Sequence, residues 1–247
     1  MRSAPLISSA LSTEVSNSPQ SFNVVLDTGS SDLWAASAGC VTCTTGAPGF
    51  DSSTSSTFQL ATQDPTGGPI PPTIAYGTGT VTGDFVRDTV AMGGFQVQNQ
   101  SWLLGDQTSA NLLDGSDAGI MGLAFETIAS TGATPFWQTL AQDNQLATPE
   151  MSFRFTRLLH DQNTPFEEFG GIFTLGGQNK TLYAGDIEFL LLVTIAGRPT
   201  RWLLNMSGML SSCTCLELSP SSHMRPNLRD HGQWEERHFV IWWCRRH

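Results

Sequence analysis

The sequence has 247 residues, which is long enough for one large domain or two small ones. Only 14% of the residues are charged, whereas Gly (24 residues), Ser and Thr are frequent, and this composition is typical of an all-β protein with many turns. The net charge of -10 at pH 7 argues against nucleic acid and anionic membrane as partners, and no apolar run is long enough to predict a membrane-spanning helix.

The chain begins with a segment that predicts no defined element. Residues 1–17 contain one Arg and a few apolar residues, but the apolar run is too short and too rich in Ser to be a convincing signal peptide. We therefore treat residues 1–17 as a poorly defined N-terminal segment.

The first clear element is a strand over residues 21–27. Apolar residues alternate along it, and it ends at the tripeptide Asp27-Thr28-Gly29. The pattern predicts a strand that leads into a tight turn, with Asp27 at the strand end.

Two cysteines lie in residues 37–72, a stretch whose Ser, Thr, Gly and Pro content predicts turns and loops. The spacing of Cys40 and Cys43 suits either a tight-loop disulfide or half of a zinc site. No second Cys-x-x-Cys and no His pair at metal spacing accompanies them, so we favour the disulfide and expect no metal and no cofactor. Because the chain has five Cys, at least one thiol stays unpaired within it.

The remaining predicted elements are mostly strands. Residues 73–104 are rich in β-forming residues, and the sequence Tyr76-Gly77-Thr78 predicts a strand that runs into a mobile glycine turn. A short helix is predicted over 134–142, where apolar residues recur at helical spacing. The predicted strands are 73–82, 83–92, 95–104, 151–158, 170–176, 186–189 and 202–206.

The composition changes near the end of the sequence. Residues 213–247 hold four of the five His and three of the seven Trp, and they show neither helical nor strand periodicity. We interpret residues 211–247 as an atypical tail foreign to the fold, produced by an altered reading frame or unusual splicing. A basic, Trp-bearing binding tail is the alternative interpretation.

The chemistry of the chain centres on Asp27. Hydrolysis of a peptide by water needs a base for the water proton and an acid for the carbonyl oxygen, and two carboxyl groups that share one proton supply both. Gly29 lets a backbone N–H approach a carboxylate, while Thr28 and Ser30 offer hydroxyls. The alternatives are a helix- or turn-capping Asp and a serine hydrolase. The sequence disfavours a serine hydrolase, because it contains no Gly-x-Ser-x-Gly motif and its only His outside the tail is His160.

Several segments carry a resemblance to a known family. They are 27–34 (Asp-Thr-Gly-Ser-Ser-Asp-Leu-Trp), 74–79 (Ile-Ala-Tyr-Gly-Thr-Gly), 117–124 (Asp-Ala-Gly-Ile-Met-Gly-Leu-Ala), 170–177 (Gly-Gly-Ile-Phe-Thr-Leu-Gly-Gly) and 183–186 (Tyr-Ala-Gly-Asp). Over residues 18–210 the chain resembles the pepsin family of fungal aspartic proteases. The resemblance implies a bilobal, mostly β fold with the substrate cleft between the lobes, a polypeptide substrate and a secreted or vacuolar location.

The resemblance also implies roles for individual residues. Asp27 would be one catalytic carboxyl, with Ser30 as its hydrogen-bond partner and Thr28 and Gly29 in support.

A flap is implied as well. Tyr76 would lie on a flap over the substrate, where Gly77 and Thr78 contact the peptide and Trp34 supports the flap. Tyr76 as an ordinary strand aromatic and Trp34 as core packing remain the simpler interpretations. For Trp34, packing and support are compatible.

The chain departs from the family in one respect that bears on catalysis. The family has an Asp-Thr/Ser-Gly signature in each lobe, but here only Asp27 is followed by Thr or Ser and then Gly. We therefore expect a nearly complete N-terminal lobe over 18–149 and a partial C-terminal lobe over 150–210. A single carboxyl serves as base or acid in one step, but not as both.

Three hypotheses about function follow. The first is an aspartic-type endopeptidase by family, whose single chain has little or no activity. The second is a catalytically inert peptide-binding lobe or defective product. The third is a homodimer in which each chain supplies one Asp27 across a two-fold axis.

Overall fold

The structure is a computed structural model that describes residues 2–5, 9–13, 20–43, 46, 48–61, 73–110, 112–113, 117–155, 171–183, 185–187 and 189–204. β-Strands dominate these ranges, which confirms the all-β class. The predicted tail at residues 211–247 lies outside the described residues.

Eleven strands and one α-helix are present in the described ranges. The strands are β1 (Arg2–Pro5), β2 (Ser9–Thr13), β3 (Gln20–Asp27), β4 (Leu33–Ala36), β5 (Gln59–Leu60), β6 (Thr73–Tyr76), β7 (Gly79–Met92), β8 (Phe95–Thr108), β9 (Asp117–Gly122), β10 (Met151–Phe155) and β11 (Gly171–Leu175). The helix α1 spans Phe136–Gln142, and single 3₁₀ turns lie at Ser52–Thr54 and Glu126–Ile128.

The strands form two sheets. An eight-stranded sheet has the order β2-β3-β9-β4-β8-β7-β5, with β6 paired to β7, and a three-stranded sheet has the order β1-β11-β10. In the large sheet β3 runs parallel to β9, and β9 runs antiparallel to β4. This order sets the ends of β3 and β9 side by side, with Asp27 opposite Gly122.

The longest pairing is the hairpin of β7 and β8. Each of its strands has 14 residues, and Gly93 and Gly94 form the connection with φ values of 60° and 80°. Only glycine adopts such dihedrals without steric cost, so these residues specify the turn.

Two apolar clusters hold the sheet. The larger one surrounds Trp102 and Phe50, whose rings meet edge to face at 5.1 Å, and it extends to Trp137 on α1. The smaller one lies beneath β6 and contains the fully buried Trp34 together with Ile74. Burial of a large apolar side chain contributes roughly 1.5–3 kcal/mol, so both clusters stabilise the large sheet substantially.

Several elements match their sequence predictions. The helix begins directly after Pro135, and β10 and β11 lie within the predicted strands 151–158 and 170–176. Within the predicted segment 73–82, residues 77 and 78 form a turn between β6 and β7, which confirms the glycine turn predicted after Tyr76 and divides the segment into two strands.

Two predicted strands do not form in the described residues, and some strands form that were not predicted. Residues 186, 187, 189 and 202–204 belong to no strand, although strands were predicted over 186–189 and 202–206. Strands β1 and β2 form where no element was predicted, and each pairs with a distant partner: β1 with β11, and β2 with β3 and β7. Such pairing is a tertiary contact that local periodicity does not encode.

No helix in the described ranges is long and apolar enough to cross a membrane.

Candidate active site

Asp27 is the last residue of β3, and backbone hydrogen bonds fix its position. The N–H of Leu123 donates to the carbonyl of Asp27 at 2.7 Å, and the N–H of Gly122 donates to the carbonyl of Asp32 at 2.9 Å. The end of β9 therefore joins both sides of the loop that follows Asp27.

The Asp27 carboxylate accepts two hydrogen bonds from its own turn. The Gly29 N–H donates to Oδ1 at 2.8 Å, and the Ser30 hydroxyl donates to Oδ2 at 2.6 Å. Each carboxylate oxygen thus has a donor in the turn, which fixes the orientation of a half-buried group. Thr28 lies in the same turn, but its hydroxyl has no hydrogen-bond partner among the described residues.

A second carboxylate, Asp32, fastens the same loop to the region before α1. It is only 2% exposed, and it accepts hydrogen bonds from the Ser130 N–H, the Thr131 N–H and the Thr131 hydroxyl at 2.6–3.0 Å. The hydroxyl of Ser31 donates to the carbonyl of Phe125 at 2.6 Å. Three donors compensate for the burial of Asp32, which makes this residue a brace for the loop.

Glycines in β9 allow the loop to approach closely. A Cβ added to Gly122 would lie 2.4 Å from the backbone carbon of Ser31, and one added to Gly119 would lie 2.0 Å from the carbonyl oxygen of Trp34. The glycines of segment 117–124 are thus required by backbone packing against residues 31–34.

The hairpin of β6 and β7 extends from the large sheet, and its tip lies at Gly77 and Thr78. Both tip residues are exposed, and nothing lies within 4 Å of a Cβ added to Gly77. The half-buried Tyr76, at the base of the tip, packs against the cluster that contains Trp34. The tip of this hairpin is therefore open, while its base is anchored in the Trp34 cluster.

The Tyr76 hydroxyl lies in an unusual electrostatic environment. Burial, and then the negative charges of Asp32 and Asp27, raise the pKa of Tyr76 well above its ordinary value of 10.0, although nearby Trp34 and Ser30 partly oppose this. The Tyr76 hydroxyl and the Trp34 indole N–H are buried without a hydrogen-bond partner in the described part of the chain. Burial and the two negative charges thus keep the Tyr76 hydroxyl in its neutral form.

The predicted disulfide is present between Cys40 and Cys43, with a Cα–Cα distance of 5.6 Å. It closes a small loop just after β4. Within the described ranges, no group of three or more His, Cys, Asp or Glu side chains is arranged to hold a metal ion.

Arg201 reaches the Asp27 turn from a much later segment. Its Nε–H donates to the carbonyl of Gly29 at 3.0 Å. Sequence reasoning missed both Arg201 and the bracing role of Asp32. The presence of Asp32 in segment 27–34 was a signal for its bracing role. No local pattern in the sequence marks Arg201.

The Asp27 carboxylate is thus oriented in a glycine turn at the end of β3, and the hairpin of β6 and β7 belongs to the same sheet. The model of the eukaryotic aspartyl protease family matches residues 11–219. The chain therefore belongs to the eukaryotic aspartyl protease family, as the resemblance of segment 27–34 indicated.

Three similar proteins illustrate the range of relatives. Major aspartyl peptidase 1 of Cryptococcus neoformans var. grubii is 36% identical over 210 residues, which is 82% of this chain and 40% of that protein. An aspartic proteinase of Oryza sativa subsp. japonica is 31% identical over 78% of this chain and 36% of its own length. Gastricsin of Oryctolagus cuniculus is 38% identical over 68% of this chain and 40% of its own. The chain thus spans about two fifths of the length of these curated relatives, and by family it is classed with the aspartic endopeptidases.

Proposed function

We propose that this chain supplies one catalytic carboxyl, Asp27, to an aspartic-type endopeptidase that hydrolyses polypeptides with a carboxyl-activated water. The observation that carries the proposal is the pair of hydrogen bonds from the Gly29 N–H and the Ser30 hydroxyl to Asp27. They orient the carboxylate in its acceptor form, so that one oxygen can take the proton of a water that attacks a peptide carbonyl.

The flap belongs to the same proposal. The exposed tip at Gly77 and Thr78 would offer backbone groups to a peptide, and Tyr76 would contribute a neutral hydroxyl beside it. The packing of Tyr76 against the Trp34 cluster supports a role for Trp34 in holding the base of the flap.

Hydrolysis also needs an acid that protonates the carbonyl oxygen of the substrate, and this role requires a second carboxyl. Only one Asp-Thr/Ser-Gly signature occurs in the sequence, and one carboxyl cannot act as base and acid in the same step. A monomer of this chain would therefore bind peptides but turn them over slowly. A homodimer with one Asp27 per chain is the second candidate, because a two-fold axis would bring two such carboxyls together.

A secreted or vacuolar location completes the proposal. The Cys40–Cys43 disulfide supports it, since disulfides persist in oxidising compartments and are rare in the cytosol.

The test is hydrolysis of a denatured protein at about pH 4, near the ordinary pKa of a carboxyl, over a wide range of chain concentrations. Activity per chain that stays close to the uncatalysed level, with peptide binding intact, supports the monomer as a binding lobe. Activity per chain that rises with concentration supports the homodimer.

The matched variants are Asp27→Asn and Asp84→Asn, because Asp84 is exposed on β7. Any hydrolysis should disappear in Asp27→Asn and persist in Asp84→Asn. Hydrolysis that survives Asp27→Asn, or a chain that binds no peptide, would overturn the proposal.

A further inference from the structure

Arg201 places a cation directly on the Asp27 turn. Its Nε–H bonds to the carbonyl of Gly29, and the N–H of the same Gly29 bonds to the Asp27 carboxylate. Arg201 and Gly29 are both exposed, so the guanidinium faces the solvent at the turn.

The backbone that carries Arg201 is anchored on both sides. The N–H of Phe125 donates to the carbonyl of Thr200 at 3.2 Å, and the Thr127 hydroxyl donates to the carbonyl of Pro199. These two bonds hold the backbone just before Arg201.

The residue after Arg201 is held as well, because the Trp202 indole donates to the carbonyl of Leu123 at 2.9 Å. This segment is therefore fixed against residues 123–127, of which Leu123 donates its N–H to the carbonyl of Asp27.

Trp202 adds apolar contacts to this anchor. Its ring centroid lies 4.8 Å from that of Phe125 and 5.8 Å from that of Trp137. The position of Arg201 is thus set by packing and hydrogen bonds rather than by its own side chain alone.

The guanidinium retains unused hydrogen-bonding capacity. Arginine has five N–H donors, and in the described part of the chain only the Nε–H of Arg201 has a partner, with no carboxylate paired to it. The four N–H groups at the end of the side chain form a planar fork that suits a carboxylate.

We propose that Arg201 is a specificity-determining residue. It favours peptides that carry an acidic side chain close to the peptide bond that is hydrolysed at Asp27. This inference rests on the proposed function and names the substrate class of the same site. The Nε–H holds the guanidinium to Gly29, and the terminal N–H groups receive the carboxylate of the substrate.

The test measures binding of labelled peptides that differ only by Glu or Gln, placed at each position in turn, to the full chain. At about pH 5.5 the Glu side chain is ionised, and we expect the best Glu peptide to bind about fivefold more tightly than its Gln partner, the scale of an exposed charge pair. At about pH 3.5 most of the Glu side chain is protonated, and the preference should fall below about twofold.

Two variants separate charge recognition from structure. Arg201→Gln should remove the Glu preference, whereas Arg201→Lys keeps the charge and should retain part of it. Arg198→Gln is the matched control, because Arg198 is exposed three residues earlier on the same segment, and it should leave the preference intact. Circular dichroism and thermal unfolding of each variant confirm that it is folded.

The outcomes are distinguishable. Equal binding of the Glu and Gln peptides to the wild-type chain overturns the role of Arg201 and leaves the proposed function standing. A preference that survives in Arg201→Gln, or that stays near fivefold at about pH 3.5, also overturns it. Absence of binding by any peptide refutes the proposed function and this inference together.

Discussion

The indole N–H of Trp202 donates a 2.9 Å hydrogen bond to the backbone carbonyl of Leu123, 79 residues earlier in the chain. The N–H of Leu123 in turn donates to the carbonyl of Asp27. Two hydrogen bonds through one residue thus connect a late, irregular segment to the proposed catalytic aspartate. This connection makes the segment part of the site.

The first prediction concerns that connection. Trp202→Ala removes the indole donor and the contacts with Phe125 and Trp137, so we expect a loss of about 3 kcal/mol in the free energy of unfolding. Trp202→Phe keeps most of the ring contact and should lose about 1 kcal/mol for the hydrogen bond. Urea unfolding followed by tryptophan fluorescence measures both.

The control is Leu203→Ala, because Leu203 is 38% exposed and should change stability by less than about 0.5 kcal/mol. If Trp202→Ala were as stable as Leu203→Ala, the docking of this segment would be wrong.

The second prediction concerns the hydroxyl on the Asp27 carboxylate. Ser30→Ala removes the 2.6 Å hydrogen bond to Oδ2, so the carboxylate loses one of its two positioning donors. In the proposed homodimer we expect kcat/KM for peptide hydrolysis to fall about tenfold, equivalent to about 1.4 kcal/mol. Ser30→Thr retains a hydroxyl and should recover most of the loss; equal activity of Ser30→Ala and the wild-type chain would contradict the positioning role.

The third prediction compares the same substitution, Gly to Ala, at two positions. Gly122→Ala forces a methyl group against the backbone of Ser31, where the available distance is 2.4 Å, and we expect a loss of about 3 kcal/mol in stability. Gly77→Ala lies at the open tip of the hairpin and should change stability by less than about 0.5 kcal/mol.

Thermal unfolding of the two variants checks this pair. Equal melting temperatures for Gly122→Ala and Gly77→Ala would show that β9 does not press on the loop after Asp27.

The fourth prediction concerns stability in alkaline solution. Because the folded chain raises the pKa of Tyr76 above 10.0, the unfolded chain releases the phenol proton first as the pH rises. The contribution of the protonated Tyr76 to the free energy of unfolding is therefore complete below about pH 10, and it declines as the pH rises above that value. Tyr76→Phe should show a smaller decline than the wild-type chain, measured as urea midpoints between about pH 8 and pH 11.

The second tyrosine, Tyr183, is present in both proteins, so its contribution cancels in the comparison. Parallel pH profiles for the two chains would contradict the raised pKa.

Predictions from sequence succeeded where a few neighbouring residues decide the structure. The turn at Asp27 is local: its donors come from residues 29 and 30, and the glycine and hydroxyl types were visible in the sequence. The Cys40–Cys43 disulfide and the helix after Pro135 are equally local.

Predictions failed where the partner is remote. Strand β4 has only four residues and forms by pairing with β8 and β9, so its own periodicity gave no signal. The strand predicted over 202–206 has suitable residues, but at 202–204 Trp202 packs into an aromatic cluster instead of a ladder. Tertiary packing outweighs a weak local preference for the strand.

The sequence by itself determined the class of the protein, its family and the turn that orients Asp27, because short-range hydrogen bonds and glycine geometry depend on residues only a few positions apart. Only the tertiary structure decided that Asp32 is held by Thr131 at a separation of 99 residues and that Arg201 meets Gly29 at a separation of 172. Such contacts depend on how the sheet brings distant segments together, and no local pattern records which segments will meet.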